Sequence, residues 1–328
     1  MKQDTKQDIL ARWLRGAGLL GLLGCGIATI LAWLGAYWWA FDILSHFRLQ
    51  YAAILAVVLS AFVYAKRWPE IVWGTVFLSL NLSVILPLYW GQALPADPDR
   101  SELSLLMFNV NHRNPNPAKV AAYVAGIDAD VVVILEATQD IEDEMSAALG
   151  DYQKLGFSLW HAFGMLIYSR LPIESSEELF LADSELLTIA LRVTKEGETF
   201  SILGLHTMPP AGRENSILRD QMLAEAKTWA MAAVNPIIVG DFNATPWSHA
   251  YRKLVDGPLH NSQIGFGLQT SWPNELWPLS IPIDHAVLGE TLTVTDRSVG
   301  PFLGSDHRPV SLRVGFARTG SPIERLAE

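Results

Sequence analysis

Apolar and polar positions divide the chain into two regimes. Up to Trp90 long apolar runs are interrupted only by short polar intervals. Three of these runs, Ala17–Ala40, Leu49–Ala65 and Ile71–Trp90, approach the ~20 residues that cross a bilayer as a helix, the second at the short limit. Beyond Pro95 the apolar runs shrink to strand length. They fall at Leu103–Asn109, Val131–Glu136, Met165–Tyr168, Thr188–Val193, Thr199–His206, Ile237–Gly240, Ile283–Leu288 and Val310–Val314. Helical spacing is confined to Pro117–Gly126, Ile141–Leu149 and Ser216–Ala233. Strands and helices mixed without strict alternation predict an α+β or layered α/β domain rather than a Rossmann or barrel fold. Gly91–Arg100, rich in Pro and Asp, reads as the linker between the two regimes.

Charge orients the apolar part. Lys2, Lys6, Arg12 and Arg15 precede the first run and Lys66 and Arg67 separate the second from the third, whereas Arg48 stands alone between the first two. Short loops rich in Lys and Arg stay cytoplasmic, so the N-terminus is expected inside and everything after Trp90 outside. Trp33, Tyr37, Trp38, Trp39, Trp68, Tyr89 and Trp90 cluster at the run ends, where interfacial aromatic belts form. The competing readings are helices buried in a soluble protein, a cleaved signal peptide, and a lipoprotein box at Leu22–Cys25. The first run is longer than a usual signal core, two more follow it, and apolar sequence continues unbroken past Cys25. Asn81 is the one conspicuous polar group inside the runs, so they read as an anchor rather than a transport path.

Composition narrows the second regime. The single cysteine rules out an intramolecular disulfide, so an exported domain of this length must rest on its core. From Ser101 onward 16 Lys and Arg face 28 Asp and Glu, a net charge of −12. A protein that grips long polyanions usually presents a basic face, so the balance argues against a general nuclease.

Candidate chemistry appears at the strand ends. The run LLMFNVNHR ends at Asn109 and Asn111, DADVVVILEAT at Glu136 after five apolar residues, SILGLHT at His206, and IIVGDFN at Asp241 and Asn243. PIDHAVL opens a strand at Asp284, and GSDHRPV sets Ser305, Asp306 and His307 before the last one. Acids and imidazoles spread over strand ends converge at one rim of a fold. Glu136 and Asp306, with the amide of Asn109, supply hard oxygen donors suited to Mg²⁺ or Mn²⁺, which pair with phosphate oxygens. His307 fits a general base oriented by Asp284. Asp241 can position or deprotonate a water or protonate a leaving oxygen, while Asn243 and His206 can donate to phosphate oxygens as charge develops. The bland alternatives are an Asx turn for Asp241 and Asn243, an N-cap for Asp306, a packed neighbour for His285, and structural or exposed roles for His112, His161, His249 and His260. Trp247, Trp272 and Trp277 lie on Pro-rich loops beside these motifs, as site rim or as core.

In order and approximate spacing, MFNVN, VVVILEAT, GLHT, GDFN, PIDHAVL and GSDHRPV resemble the endonuclease/exonuclease/phosphatase superfamily, which includes deoxyribonuclease I, bacterial sphingomyelinases and inositol polyphosphate 5-phosphatases. FGMLIYSRLPI is similar to that family's central strand. Each motif alone is weak; six in order are specific. The resemblance covers roughly residues 101–316, leaving an anchor over 1–90 and a tail over 317–328. It implies a four-layer α/β/β/α sandwich of two mixed β-sheets with a divalent-metal phosphoesterase site at one edge; the three transmembrane helices expected before it rest on the apolar runs alone. It also implies that Asp241 and Asn243 face the scissile phosphate together, and that His206 follows the deoxyribonuclease and sphingomyelinase arrangement. Asn111 departs from the Asp or Arg common at its position.

The expected function is that of a membrane-tethered phosphoric ester hydrolase in a bacterial cytoplasmic membrane, its domain on the extracytoplasmic side and His307 and Asp284 activating water. Its partners would be a phosphate-ester substrate (a lipid headgroup, a small phosphodiester or a nucleic acid) and the bilayer itself; nothing in the pattern points to a protein partner. The alternatives are an endonuclease or exonuclease acting on DNA or RNA, and a catalytically silent binding module on a membrane anchor.

Overall fold

A computed structural model describes residues 6–90 and 95–318. Lys2, the first four residues of the linker and the tail beyond Arg318 lie outside the described residues. The chain divides into a helical unit up to Pro87 and an α/β unit from Leu88 onward.

The helical unit holds α1 (Lys6–Trp33), α2 (Trp39–Ser45), α3 (Arg48–Tyr64) and α4 (Trp68–Ile85). Arg15–Trp33 and Trp68–Ile85 are long and apolar enough to span a membrane, and α2 with α3, bent by 59°, makes a third candidate if the pair is one span. The first apolar run therefore departs from the continuous span expected over 17–40. Its helix stops at Trp33, and the chain turns at Gly35, where a Cβ would come within 3.0 Å of the Asp42 carboxylate. The third ends at Ile85, and Pro87 opens a short separate helix, α5 (Pro87–Trp90). Asn81 joins α4 to α1, its amide donating to Thr29 Oγ1 at 2.8 Å and to the Phe77 carbonyl.

The α/β unit is built on two six-stranded sheets. In chain order its elements are β1 (Leu103–Asn109), α6 (Pro117–Ile127), β2 (Val131–Leu135), α7 (Gln139–Ala148), β3 (Gln153–Phe157), β4 (Met165–Ser169), β5 (Ile173–Leu179), β6 (Thr188–Lys195), β7 (Glu198–His206), α8 (Arg213–Ala232), β8 (Pro236–Asp241), α9 (His249–Leu254), β9 (Leu259–Asn261), β10 (Asp284–Gly289), β11 (Leu292–Val299) and β12 (Val310–Phe316). One sheet runs β11-β12-β1-β2-β4-β3 and the other β5-β6-β7-β8-β10-β9. Both are mixed, with β1 parallel to β2 and β7 parallel to β8 among antiparallel neighbours.

Side-chain alternation along the strands creates the layers. Leu105, Met107, Val131, Val133, Ile202, Ile237 and Val239 meet in the core between the sheets. The opposite faces of the same strands, through Leu106, Phe108, Val132 and Ile134, pack under α6 and α7. On the far side Leu203, Leu205, Ile238 and Val287 pack under α8 and α9. The result is the expected four-layer α/β/β/α sandwich. Residues 95–100 are fastened to it as well: Ala96 bridges Ala317, and Asp97 N–H donates to the Phe316 carbonyl at 2.8 Å.

Candidate active site

The central strands of both sheets end at the same rim. Registers Asn109↔Leu135, His206↔Asp241 and Asp241↔Asp284 place β1, β2, β7, β8 and β10 so that their polar end residues face one another. Asn109, His206, Asp241, Asp284 and His307 are all buried, and Glu136, Asn243 and Asp306 are half-buried. A rim of buried polar groups is costly unless each is paired or poised for a ligand.

Three of the end residues take left-handed backbone to get there: Asn111 at φ 59°, Glu136 at φ 57° and Asn243 at φ 46°. Asparagine tolerates this region, but glutamate adopts it rarely, and such conformations cluster where function needs them. The turn at Glu136 swings its carboxylate back over the end of β1. There Asn109 Nδ2 donates to Glu136 Oε1 at 3.0 Å and to Asp241 Oδ2 at 3.2 Å, so one amide links the two sheets' acids. The nitrogen of Asn109 thus faces the acids, while its oxygen accepts the N–H of Asn111 at 3.1 Å.

Asp241 has a different job for each oxygen. Oδ1 accepts the N–H of Asn243 at 2.9 Å, which is the Asx turn expected of the bland reading. Oδ2 lies 3.7 Å from Nε2 of both His206 and His307. One oxygen thus serves the turn while the other faces two imidazoles. Asn243 donates its side-chain amide to the Thr207 carbonyl at 2.9 Å, and Arg219 of α8 donates to the carbonyl of Asn243 at 3.2 Å.

His307 Nδ1 and Asp284 Oδ2 are 2.9 Å apart, the pairing proposed from sequence. The loop that delivers His307 is locked by Ser305, whose hydroxyl donates to the Asn109 carbonyl at 2.8 Å and accepts the His307 N–H at 3.0 Å. Under Asp284 lies the buried Arg297 of β11, which donates to the Asp284 carbonyl at 3.3 Å, to Ser262 Oγ and to Gln269. Asp306 is held from both sides, by Asn111 Nδ2 at 2.7 Å and by the indole N–H of Trp272 at 2.9 Å. Asn111 consequently bridges the β1 end to the last loop. Trp272 forms a wall of the site, its ring centroid 6.2 Å from that of His307, whereas Trp247 is buried and Trp277 exposed.

Burial and charge sort the protonation states. Burial pushes the pKa of Asp241 up, and the Asp284 carboxylate pushes it further. Burial alone would lower the pKa of His307, but Asp284, with Asp241 and Asp306, outweighs it and raises the pKa to about 10. Burial lowers that of His206 to about 4, so this ring is neutral, and its Nδ1 is buried without a partner. For Asp306, burial is outweighed by His307 and its two hydrogen-bond donors, and its pKa is lowered. A carboxyl pushed up beside an imidazole pushed up, 3.7 Å apart, is a pair suited to passing a proton.

Asp241, Asp284 and His307 each offer one ligand atom within 4.8 Å of the others, a grouping that could hold a metal ion. The Glu136 and Asp306 carboxylates are fixed by hydrogen bonds at the same rim and offer hard oxygen donors, which suits a divalent cation such as Mg²⁺ or Mn²⁺.

His112 is the functional candidate that sequence reasoning set aside as structural or exposed. Its N–H donates to Glu136 Oε2 at 3.1 Å, and its ring Nδ1 lies 2.8 Å from the same oxygen. The only sequence signal was its position three residues past the polar end of β1.

His285, beside Asp284, is a packed neighbour as expected: fully buried between Phe242 and Tyr251, donating Nε2–H to the Ala244 carbonyl at 2.8 Å. Burial lowers its pKa to about 3. The folded-state pKa lies below the unfolded value of about 6.5, so the unfolded state binds the proton first and stability falls as pH drops below about 6.5, by up to ~1.4 kcal/mol per pH unit. His285→Phe keeps the ring packing and loses one hydrogen bond, about 1 kcal/mol at pH 7. We expect the difference to change by about 2 kcal/mol between pH 7 and pH 5 in urea unfolding, so that the variant, less stable than the parent by about 1 kcal/mol at pH 7, becomes more stable by about 1 kcal/mol at pH 5; a deficit that stays constant would contradict a neutral buried His285.

The sequence matches the profile of the Endonuclease/Exonuclease/phosphatase family over residues 107–307. No curated protein matches it. Among solved structures the chain is similar to humanized Danio rerio TDP2, at 17% identity and TM-score 0.57 over 65% of this chain and 99% of that one. It is also similar to an endonuclease/exonuclease/phosphatase from Bacteroides vulgatus, at 16% identity and TM-score 0.55 over 66% and 100%. A third similar structure is a Bacteroides thetaiotaomicron mannosyl-6-phosphatase, at 18% identity and TM-score 0.53 over 65% and 100%.

Proposed function

The chain belongs to the endonuclease/exonuclease/phosphatase family, and from that premise we propose that it is a divalent-metal-dependent phosphoesterase tethered to a bacterial cytoplasmic membrane by its N-terminal helices, with the α/β domain on the extracytoplasmic side. The observation that carries the reading is the continuous chain of contacts from Glu136 through Asn109 to Asp241 and on to the His307–Asp284 pair.

Glu136 and Asp306, with Asn109 after rotation of its amide, would hold the metal ion. Asp241, Asp284 and His307 are the weaker candidates for that task, because the Nδ1 of His307 is already bonded to Asp284. A bound divalent ion supplies charge for the phosphate oxygens and neutralises what develops on them. The chain's own residues do the rest. Asp284 orients His307 and holds its charged form, and Nε2, once it has given up its own proton, is the atom that takes one from an attacking water. Asp241, its pKa raised, positions that water or returns a proton to the leaving oxygen. Neutral His206 and the Asn243 amide donate to the phosphate as its charge grows.

The acidic domain and the apolar helices favour a lipid headgroup or a small phosphodiester over a long duplex. The fold itself does not choose, since one similar structure is named a mannosyl-6-phosphatase and another a TDP2. The test is turnover by the purified full chain in detergent on sphingomyelin, glycerophospholipids, inositol phosphates, a chromogenic phosphodiester, plasmid DNA, single-stranded DNA and RNA. Hydrolysis that is abolished by EDTA and restored by Mg²⁺ or Mn²⁺ is expected, strongest on a lipid or small ester. Preference for the nucleic acids would favour the nuclease reading, and no hydrolysis by a folded, metal-binding sample would make the chain a silent binding module.

A further inference from the structure

We propose that His112 is a positioning residue that clamps the metal-binding carboxylate of Glu136 and sets the affinity of the site for its divalent ion. The proposal rests on the metal-dependent reading above.

The clamp follows from backbone geometry. The parallel register of β1 and β2 pairs Asn109 with Leu135, and the ladder continues one step further as Val110 N–H donates to the Leu135 carbonyl at 3.0 Å. Both strands then turn through left-handed residues, Asn111 on one and Glu136 on the other. These paired turns bring His112 face to face with the glutamate. Two donors from a single residue then converge on Oε2, the backbone N–H at 3.1 Å and the ring Nδ1 at 2.8 Å. Since a carboxylate oxygen only accepts, the ring donates Nδ1–H, which fixes its tautomer.

The consequence is a division of labour within the carboxylate. Oε2 is tied down, and Oε1 is the oxygen turned toward Asn109 and, through it, toward Asp241. Glu136 benefits from such a tie because a glutamate in left-handed backbone persists only where its surroundings hold it there. Groups that orient a metal-binding carboxylate typically change metal affinity by 10–100-fold when removed.

The experiment is Mn²⁺ binding to the full-length protein in detergent, by isothermal titration calorimetry, with no substrate present. His112→Ala is expected to weaken binding by about 10–100-fold. His112→Asn, whose amide N–H occupies nearly the place of Nδ1–H, is expected to recover most of the loss. Glu136→Gln should bind far more weakly than either. His112 is partly exposed, and the circular dichroism and thermal midpoint of the metal-free variants should match the parent protein, so that weak binding cannot be mistaken for unfolding. Unchanged affinity in His112→Ala would overturn the clamp while leaving the metal reading intact. So would a His112→Asn protein no better than His112→Ala. A parent protein that binds no Mn²⁺ at all would overturn the metal reading and the clamp with it.

Discussion

His307→Ala is expected to lower kcat by on the order of 10³-fold or more on whichever ester the protein hydrolyses, with little change in KM. Among the described residues the ring is the only imidazole at the rim that is bonded through one nitrogen to a buried carboxylate and has the other, Nε2, directed at a second acid. Removing it deprives the water of its acceptor but leaves the phosphate-binding groups in place. Asp284 meets this ring directly, its Oδ2 on Nδ1, while its Oδ1 is buried without a hydrogen-bond partner. Asp284→Asn is therefore expected to cost about as much, by stabilising the wrong tautomer. The decisive measurement is the double variant. If the pair works as a unit, adding Asp284→Asn to His307→Ala lowers kcat no further; losses that multiply would mean that Asp284 serves the reaction by another route, such as metal ligation.

What the sequence revealed and concealed follows from burial and register. Strand β2, Val131–Leu135, was plain because both its faces are covered, one by the inter-sheet core and the other by α6 and α7, and an unbroken apolar run is what such a strand requires. Strand β5 reads IESSEEL, lies at a sheet edge and is mostly exposed, so neither composition nor alternation marks it. Strand β11 is interrupted by a bulge between Val294 and Asp296, which breaks the period of two. The short β9 and the exposed β3 escaped for related reasons.

The same logic applies to the site. Asp241 and Asp284 stand out as isolated polar residues at the ends of apolar runs, and their distance follows from the pairing of β8 with β10, whereas His307, on the loop before β12, was legible through the GSDHRPV motif. His112 and Trp272 reach the site through turns and loops, and no periodic pattern encodes those. The indole of Trp272 on Asp306 depends on the path of a loop, and His112 on two successive left-handed residues. Residues placed by strand register were legible from the pattern, and those placed by loop geometry only where a motif such as GDFN or GSDHRPV carried them.

The glycine before Asp241 shows how closely fold and chemistry are joined, and Gly240→Ala is expected to be the most destabilising of the substitutions considered. Gly240 sits at φ +152°, and a Cβ there would lie 1.8 Å from the carbonyl oxygen of Leu205, its register partner on the parallel strand β7. That oxygen is backbone within a central ladder and cannot swing aside. Backbone strain of about 1–3 kcal/mol adds to a packing clash of about 1–3 kcal/mol. At roughly 2–4 °C per kcal/mol for a domain of this size, the unfolding midpoint should fall by about 5–20 °C. Gly212→Ala provides the control, since Gly212 also has positive φ, at +102°, but nothing lies within 4 Å of its would-be Cβ. It carries the strain without the clash. Calorimetry of the two metal-free variants separates the terms, and equal midpoints would refute the clash. The same displacement has a chemical cost, because any shift that frees the new methyl group pushes β8 off β7 one residue before Asp241. Its carboxylate would then leave Asn109, His206 and His307, so Gly240→Ala protein that still folds should have lost most of its turnover while keeping its metal affinity at Glu136.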